Sequence, residues 1–246
     1  MPNLPVLFIH AFPLDSRMWG PQLDAIGSSR RVLAPDLRGF GKSKQGVLPQ
    51  SVDGHARDLI ELMDRSSTPK AIVVGLSMGG YIAWAMMRLA PERVAGLLLA
   101  DTKASPDTPE ARRGRDERIA RVQRDGVAFL VDEMIPVLVA PGCDDAVKLN
   151  VRKMILEQDP VAVAAALRVL RDRPDSTVLL GRVRVPATFV CGELDAITPP
   201  LVMQEMASQI PGASFVLAPG AGHLANLEAP ALFNGAMFEL FARCDG

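Results

Sequence analysis

The chain is short of cysteine, short of histidine and almost without charge imbalance, and each shortage narrows what it can be. Cys143, Cys191 and Cys244 are odd in number and scattered. That excludes a disulfide framework and fits free thiols in a reducing compartment, so a cytoplasmic location is expected. Cys191 reads as a small buried apolar residue rather than a nucleophile. No zinc-like spacing of histidine and cysteine exists, and neither a metal nor another cofactor is expected. The 27 basic residues are met by 28 acidic ones, a net charge of −1, which gives no electrostatic basis for binding nucleic acid or an anionic membrane. No run approaches the ~20 apolar residues of a membrane span. The first residues lack the charged and apolar regions of a signal peptide. Linker-like, repeated and low-complexity segments are missing too. Hydrophobic residues still make up 48% of the 246, so one domain with a large core is expected.

What is present is concentrated in residues 75–80, Gly-Leu-Ser-Met-Gly-Gly, which contain a Gly-x-Ser-x-Gly pattern on Gly75, Ser77 and Gly79. The preceding Lys70-Ala-Ile-Val-Val is short, apolar and β-branched, and predicts a buried strand. The following Tyr81 to Ala90 has helical spacing and no breaker before Pro91. A serine squeezed into a strand-to-helix turn is strained, and small neighbours two residues away relieve the clash. The strain holds its hydroxyl above the sheet, where the helix N-terminus favours developing negative charge. Ser77 is therefore the candidate nucleophile.

A serine hydroxyl needs a base and an acid. The only histidines are His10, His55 and His223. His223 lies in a Gly-rich loop just past the apolar run 214–218, where ligands gather in parallel sheets. His10 ends a strand and is expected to shape the loop Ala11-Phe12-Pro13. His55 falls within a helix, on its polar side, and reads as a solvated surface residue. The candidate acid is Asp195, directly after a strand, with Glu193 and Asp101 as rivals. Two other motifs are set aside. Gly41-Lys42-Ser43 resembles the end of a phosphate loop, but such a loop needs Gly where Asp36 stands. The basic run Arg112 to Arg118 is interrupted by acids and reads as a solvated helix face.

Strands are predicted near 5–10, 31–35, 70–75, 94–100, 186–191 and 214–218. Helices are predicted near 18–28, 51–65, 79–90, 199–210 and 229–242. Such alternation predicts a parallel sheet covered on both faces. It stops between Thr102 and Leu180, where helices near 109–125, 127–139, 144–158 and 160–171 are separated by Gly126, Pro141-Gly142 and Pro160. The expected organisation is a core of residues 1–101 and 181–246 with a helical cap, 102–180, inserted over Ser77. Phe12, Met78, Met134 and Leu138 are expected to line the pocket beneath it, since ligand pockets are mainly apolar.

Taken together, His10-Ala-Phe-Pro, Asp36-Leu-Arg-Gly-Phe-Gly-Lys-Ser, Gly75-Leu-Ser-Met-Gly-Gly, Gly192-Glu-Leu-Asp and Gly222-His resemble, in order, the α/β-hydrolase superfamily. The resemblance covers nearly the whole chain and is nearest to small cytosolic carboxylesterases, 3-oxoadipate enol-lactonase and cofactor-free perhydrolases. It implies an α/β-hydrolase fold, with Ser77 as nucleophile, His223 as base and Asp195 as the orienting acid. The family order Ser, Asp, His favours Asp195 over its rivals. It also implies an oxyanion hole from the N–H groups of Phe12 and Met78, with Ala11 standing where the family usually has Gly. Dehalogenase and epoxide hydrolase branches carry Asp at the elbow, which Ser77 excludes. Many relatives begin with an antiparallel hairpin. Here only Met1 to Leu4 precede the first strand, so about six strands are expected, mostly parallel, with the strand near 31–35 at an edge. An edge needs shielding by a loop, a helix or a second subunit, which leaves a homo-oligomer open.

The implied activity is hydrolysis of a small-molecule ester or lactone. Enol-lactonase and perhydrolase reactions use the same triad. A small-molecule receptor that has kept the triad with almost no turnover is the rival from another class. Arg38 and Lys103 follow strands, and no fixed cation is evident near the triad residues. A buried unpaired charge is expensive, so neutral, small to medium esters or lactones are expected over dicarboxylates.

Overall fold

Segments such as Ala71-Ile-Val-Val and Leu97-Leu-Leu-Ala are too short for helices and apolar at consecutive positions, so both of their faces need cover. In the computed structural model, which describes residues 3–43 and 46–246, they become the middle of a six-stranded sheet. Met1 and Pro2, part of the segment expected ahead of the first strand, lie outside the described residues. The strands are β1 (Val6–Ile9), β2 (Val32–Leu33), β3 (Ala71–Leu76), β4 (Val94–Ala100), β5 (Ala187–Gly192) and β6 (Ser214–Ala218). Their order is β2-β1-β3-β4-β5-β6, and every neighbouring pair is parallel. The edge strand β2 is only two residues long, a length that offers little template for pairing with another chain.

Ten α-helices are described: α1 (Gly20–Ile26), α2 (Val52–Arg65), α3 (Met78–Leu89), α4 (Pro109–Asp125), α5 (Phe129–Leu138), α6 (Asp145–Leu156), α7 (Pro160–Arg171), α8 (Pro200–Ser208), α9 (Ala225–Glu228) and α10 (Pro230–Asp245). None is long and apolar enough to cross a membrane. Their starts follow the capping chemistry. Ser51, Thr108, Asp144 and Asp159 each accept a backbone N–H of the following turn through the side chain. Proline occupies the first turn of α4 and α7. The short helix α9, one turn after His223, was not expected from the sequence.

Register sets the site. Ile9 pairs with Gly75, Leu76 with Ala100, Ala100 with Val190 and Gly192 with Ala218. The carboxyl ends of β1, β3, β4, β5 and β6 therefore lie side by side. The chain order reverses between β1 and β3, and a crevice opens at such a switch point. Helices α4 to α7 fill the interval between β4 and β5. Helix α4 packs along α7, and α5 along α6.

Candidate active site

Ser77 sits between β3 and α3 with φ 54° and ψ −112°, a backbone region that L-residues rarely adopt. Four contacts hold it there. Its N–H donates to the Ala100 carbonyl at 2.9 Å, and its carbonyl accepts from Thr102 Oγ1 at 2.8 Å, Gly80 N–H at 2.9 Å and Tyr81 N–H at 3.3 Å. The flanking glycines have steric reasons. A Cβ on Gly79 would lie 2.0 Å from the Ile9 carbonyl oxygen, and one on Gly75 would lie 2.5 Å from that of Gly79. Both obstacles are backbone, so β1, β3 and α3 can approach this closely only without side chains there.

His223 follows β6 and is 1% exposed. Its Nδ1 lies 2.9 Å from Asp195 Oδ2. Asp195 is saturated: Oδ1 accepts the N–H groups of Ile197 at 2.8 Å and Thr198 at 2.9 Å, while Oδ2 also accepts the Thr198 hydroxyl at 2.5 Å. Burial opposes the charge on this carboxylate. The charge of His223 and the hydrogen bonds from His223 and Thr198 outweigh that and hold it below its ordinary pKa. An acidic side chain accepting N–H groups two and three residues on is an Asx turn, the one signal in Asp-Ala-Ile-Thr that marks Thr198 as part of the site. Ser77 and His223 border the same cavity, and no hydrogen bond joins their side chains.

The rival acids are employed elsewhere. Asp101 is fully buried, at φ 45° after β4. Its Oδ1 accepts Gly192 N–H at 2.8 Å and its Oδ2 accepts Ala225 N–H at 3.2 Å, so it ties the end of β5 to the start of α9. Burial, then the nearby Asp195, push its pKa well up. Glu193 accepts the N–H of Gly220 at 2.9 Å. Cys191 is buried beside Asp101 and Asp195, and burial raises its thiol pKa far above the usual range. Asp101, Cys191 and Asp195 are also the one group among the described residues whose atoms are close enough to hold a metal. Their carboxylate oxygens already carry the hydrogen bonds above, and nothing in the set points to an ion.

His10 is fully buried, with Nδ1 3.0 Å from the Ala11 carbonyl and Nε2 accepting Leu37 N–H at 3.0 Å. It joins the loop after β1 to the loop after β2. Its neighbour Phe12 precedes a cis bond to Pro13 and borders the cavity. The N–H groups of Phe12 and of Met78, the first residue of α3, come from loops at the ends of adjacent strands. The Met78 side chain corrects the expectation that it lines the pocket: it is fully buried in the core and does not border the cavity.

His55 corrects the expectation of a solvated residue. It is 2% exposed and lies on the stripe Val52, His55, Ala56, Leu59 and Met63 that packs α2 onto the core. Burial lowers its pKa to about 4, with smaller contributions from His10 and Arg38.

The cavity measures about 330 Å³, within the range for small ligands. Ser77, His223 and Phe12 lie on its walls, together with Met134 and Leu138 of α5. Two expectations are corrected here. The charged helix α4 is not wholly a solvated face, because Ala111, Gly114, Arg115 and Arg118, spaced at i, i+3, i+4 and i+7, border the cavity. Fixed cations therefore do border the cavity that Ser77 borders, where none was evident. One further contact joins the helical segment to the histidine loop. Glu228 accepts Gly222 N–H at 2.9 Å through Oε1 and Ala140 N–H at 2.8 Å through Oε2.

Comparison with known proteins agrees with this architecture. A family model described as "Alpha/beta hydrolase family" matches residues 6–236. A thermophilic esterase from Thermogutta terrifontis, solved with malate bound, is 42% identical, with a TM-score of 0.94 over 98% of this chain and 90% of that one. A hydrolase from Pseudomonas aeruginosa PA01 is 28% identical, with a TM-score of 0.88 over 97% and 89%. The enol-lactonase from Burkholderia xenovorans LB400 is 25% identical, with a TM-score of 0.89 over 98% and 92%. A strained serine between strand and helix, a parallel sheet that delivers a histidine and an acid to the same edge, and a match spanning nearly the whole chain place this protein in the alpha/beta hydrolase family.

Proposed function

We propose that the protein is a serine hydrolase that cleaves small to medium carboxylic esters or lactones through an acyl-enzyme on Ser77. The observation that carries this reading is the 2.9 Å contact of His223 with Asp195 on the wall of the cavity that also holds the strained Ser77. Ser77 Oγ attacks the carbonyl while His223 Nε2 takes its proton. Asp195 fixes the imidazole with its proton on Nδ1 and stabilises the cation that forms. The backbone N–H groups of Phe12 and Met78 stabilise the oxyanion, a contribution of about 3 kcal/mol per donor in comparable sites. His223 then protonates the leaving alcohol and activates water for deacylation. The absence of a Ser77–His223 hydrogen bond is compatible with this, because such contacts often tighten only with substrate bound. Residues 102–180 act as a cap domain on the core formed by 1–101 and 181–246, and exclude bulk water above Ser77. The esterase and enol-lactonase relatives support this substrate range, and the three unpaired cysteines suit a cytoplasmic enzyme.

Ser77→Ala tests the assignment. Hydrolysis of a short p-nitrophenyl ester and labelling by a fluorophosphonate should both vanish while the thermal unfolding profile is kept. Labelling that persists in the variant overturns Ser77 as nucleophile. A burst of product followed by almost no steady-state turnover in the unmodified protein would favour the receptor reading.

A further inference from the structure

The cavity that Ser77 borders is richer in positive charge than a site for neutral substrates requires. Arg115 and Arg118 of α4 border it, with one acid, Glu133 of α5. Both arginines are paired, and each pairing leaves charge over. Arg115 shares Asp107 with Arg173, a pair buried at 2.7 Å. Two guanidiniums thus face one carboxylate. Arg118 shares Glu133 with Arg121 at 3.2 Å and 2.5 Å. Arg121 and Arg124 in turn share Asp125, so three cations face two anions. Each network is in excess by one positive charge.

Geometry adds to the count. Arg115 and Arg118 each donate to their carboxylate through Nε, and the terminal nitrogens of both make no hydrogen bond to a described residue. Those nitrogens form the planar fork that matches a carboxylate. Burial, and then the charge of Arg173 offset by Asp107 and joined by Arg115, hold the Lys103 ammonium below its ordinary value. Tyr81, one helical turn after Ser77, also borders the cavity, and its hydroxyl has no partner among the described residues.

Resting on the esterase reading, we propose that the preferred substrates are half-esters or lactones carrying a free carboxylate at the end remote from the scissile carbonyl, and that Arg118, assisted by Arg115, receives it. Helix α4 sets this preference through the face that borders the cavity. The neutral preference expected from the sequence is thereby replaced.

The test compares monomethyl succinate with methyl 4-methylpentanoate, in which an isopropyl group replaces the carboxylate at similar size. The expected kcat/KM favours the anion by about tenfold or more. That ratio should fall about tenfold in Arg118→Gln and invert in Arg118→Glu. Arg118 is the informative position because its partner Glu133 keeps Arg121, whereas removing Arg115 alters the buried Asp107–Arg173 pair. Calorimetric titration of the Ser77→Ala protein with succinate reads the same site without chemistry, and its affinity should drop about tenfold when Arg118→Gln is added. Preference for the neutral ester, or a ratio and a succinate affinity that ignore both Arg118 substitutions, overturns the proposal. Succinate binding that depends on Arg118 in a protein that hydrolyses none of these esters overturns the hydrolase reading and leaves the anion site standing.

Discussion

Ser77 and Arg118 border one cavity, yet opposite means hold them there. Ser77 is fixed by backbone: a strained φ, a hydrogen bond from its N–H to the neighbouring strand, and glycines that let β1 and α3 touch. Arg118 is held by side chains alone, on a helix whose Gly114 would meet nothing within 4 Å if given a Cβ. The sheet edge tolerates almost no change because its obstacles are main-chain atoms. The α4 face is built from exchangeable side chains over open space. The comparison pairs a wall fixed by main-chain atoms with a wall that side-chain substitution can reshape, the division on which the proposed nucleophile and the proposed anion site respectively rest.

The sharpest way to break the comparison is on the rigid side. Asp195→Asn removes an acceptor that four groups share and favours the wrong imidazole tautomer. Turnover should fall by roughly 10³- to 10⁴-fold. Asp101→Asn should leave kcat within about tenfold but lower stability by roughly 1–3 kcal/mol, since one of two buried N–H groups loses its partner. If the two kcat effects are reversed in steady-state assays, the acid is Asp101. The next effect contrasts two glycines. Gly79→Ala should destabilise by roughly 4 kcal/mol or more, because the Ile9 carbonyl cannot move without breaking the sheet. Gly114→Ala, in a helix interior facing open space, should stabilise by about 0.5–1 kcal/mol. Thermal melts of the pair decide whether the walls differ as described.

A smaller, pH-dependent effect belongs to the core. The His55 pKa is about 4 in the folded protein against 6.5 when exposed, so the unfolded chain binds the proton more tightly. Its contribution to stability is complete above pH 6.5 and is lost as pH falls toward 4, amounting to up to roughly 3 kcal/mol. Denaturant titrations between those pH values should show a flatter slope for His55→Gln. His10, also depressed by burial, leaves a residual slope. An unchanged slope would mean that His55 is solvated after all.

Most of the sheet edge was legible because its signals are local. The elbow motif and the strand ends need only neighbours in sequence, whereas the preference for Asp195 over its rivals came from the family order and not from local pattern. The six strands fell where the apolar runs predicted, and β2 took the edge. What failed needed helical phase or tertiary charge. His55 sits three residues after Val52 and four before Leu59, inside the apolar stripe, yet its polar type suggested the other face. Arg115 and Arg118 looked like part of a uniformly charged helix. The small Ala111 and Gly114 on the same face were the clue that something had to fit there. Thr198 was hidden because its role is to hold Asp195, which only the turn geometry reveals.

Glu228 gives the two walls a shared fate. One of its oxygens holds the amide beside His223 and the other holds the amide at the end of α5, so a single carboxylate is hinge pin to both. Any displacement of residue 140 from the sheet would break one of these two bonds, so the position of the helical segment and that of the loop carrying the proposed base are tied through one side chain. Grafting a cap from a relative onto this core is then a transplant with a connection to preserve. Turnover should survive in chimaeras that keep residues 139–140 with Glu228, and decline, with stability unchanged, in those that separate them. Equal turnover in both kinds of chimaera would show the joint to be idle.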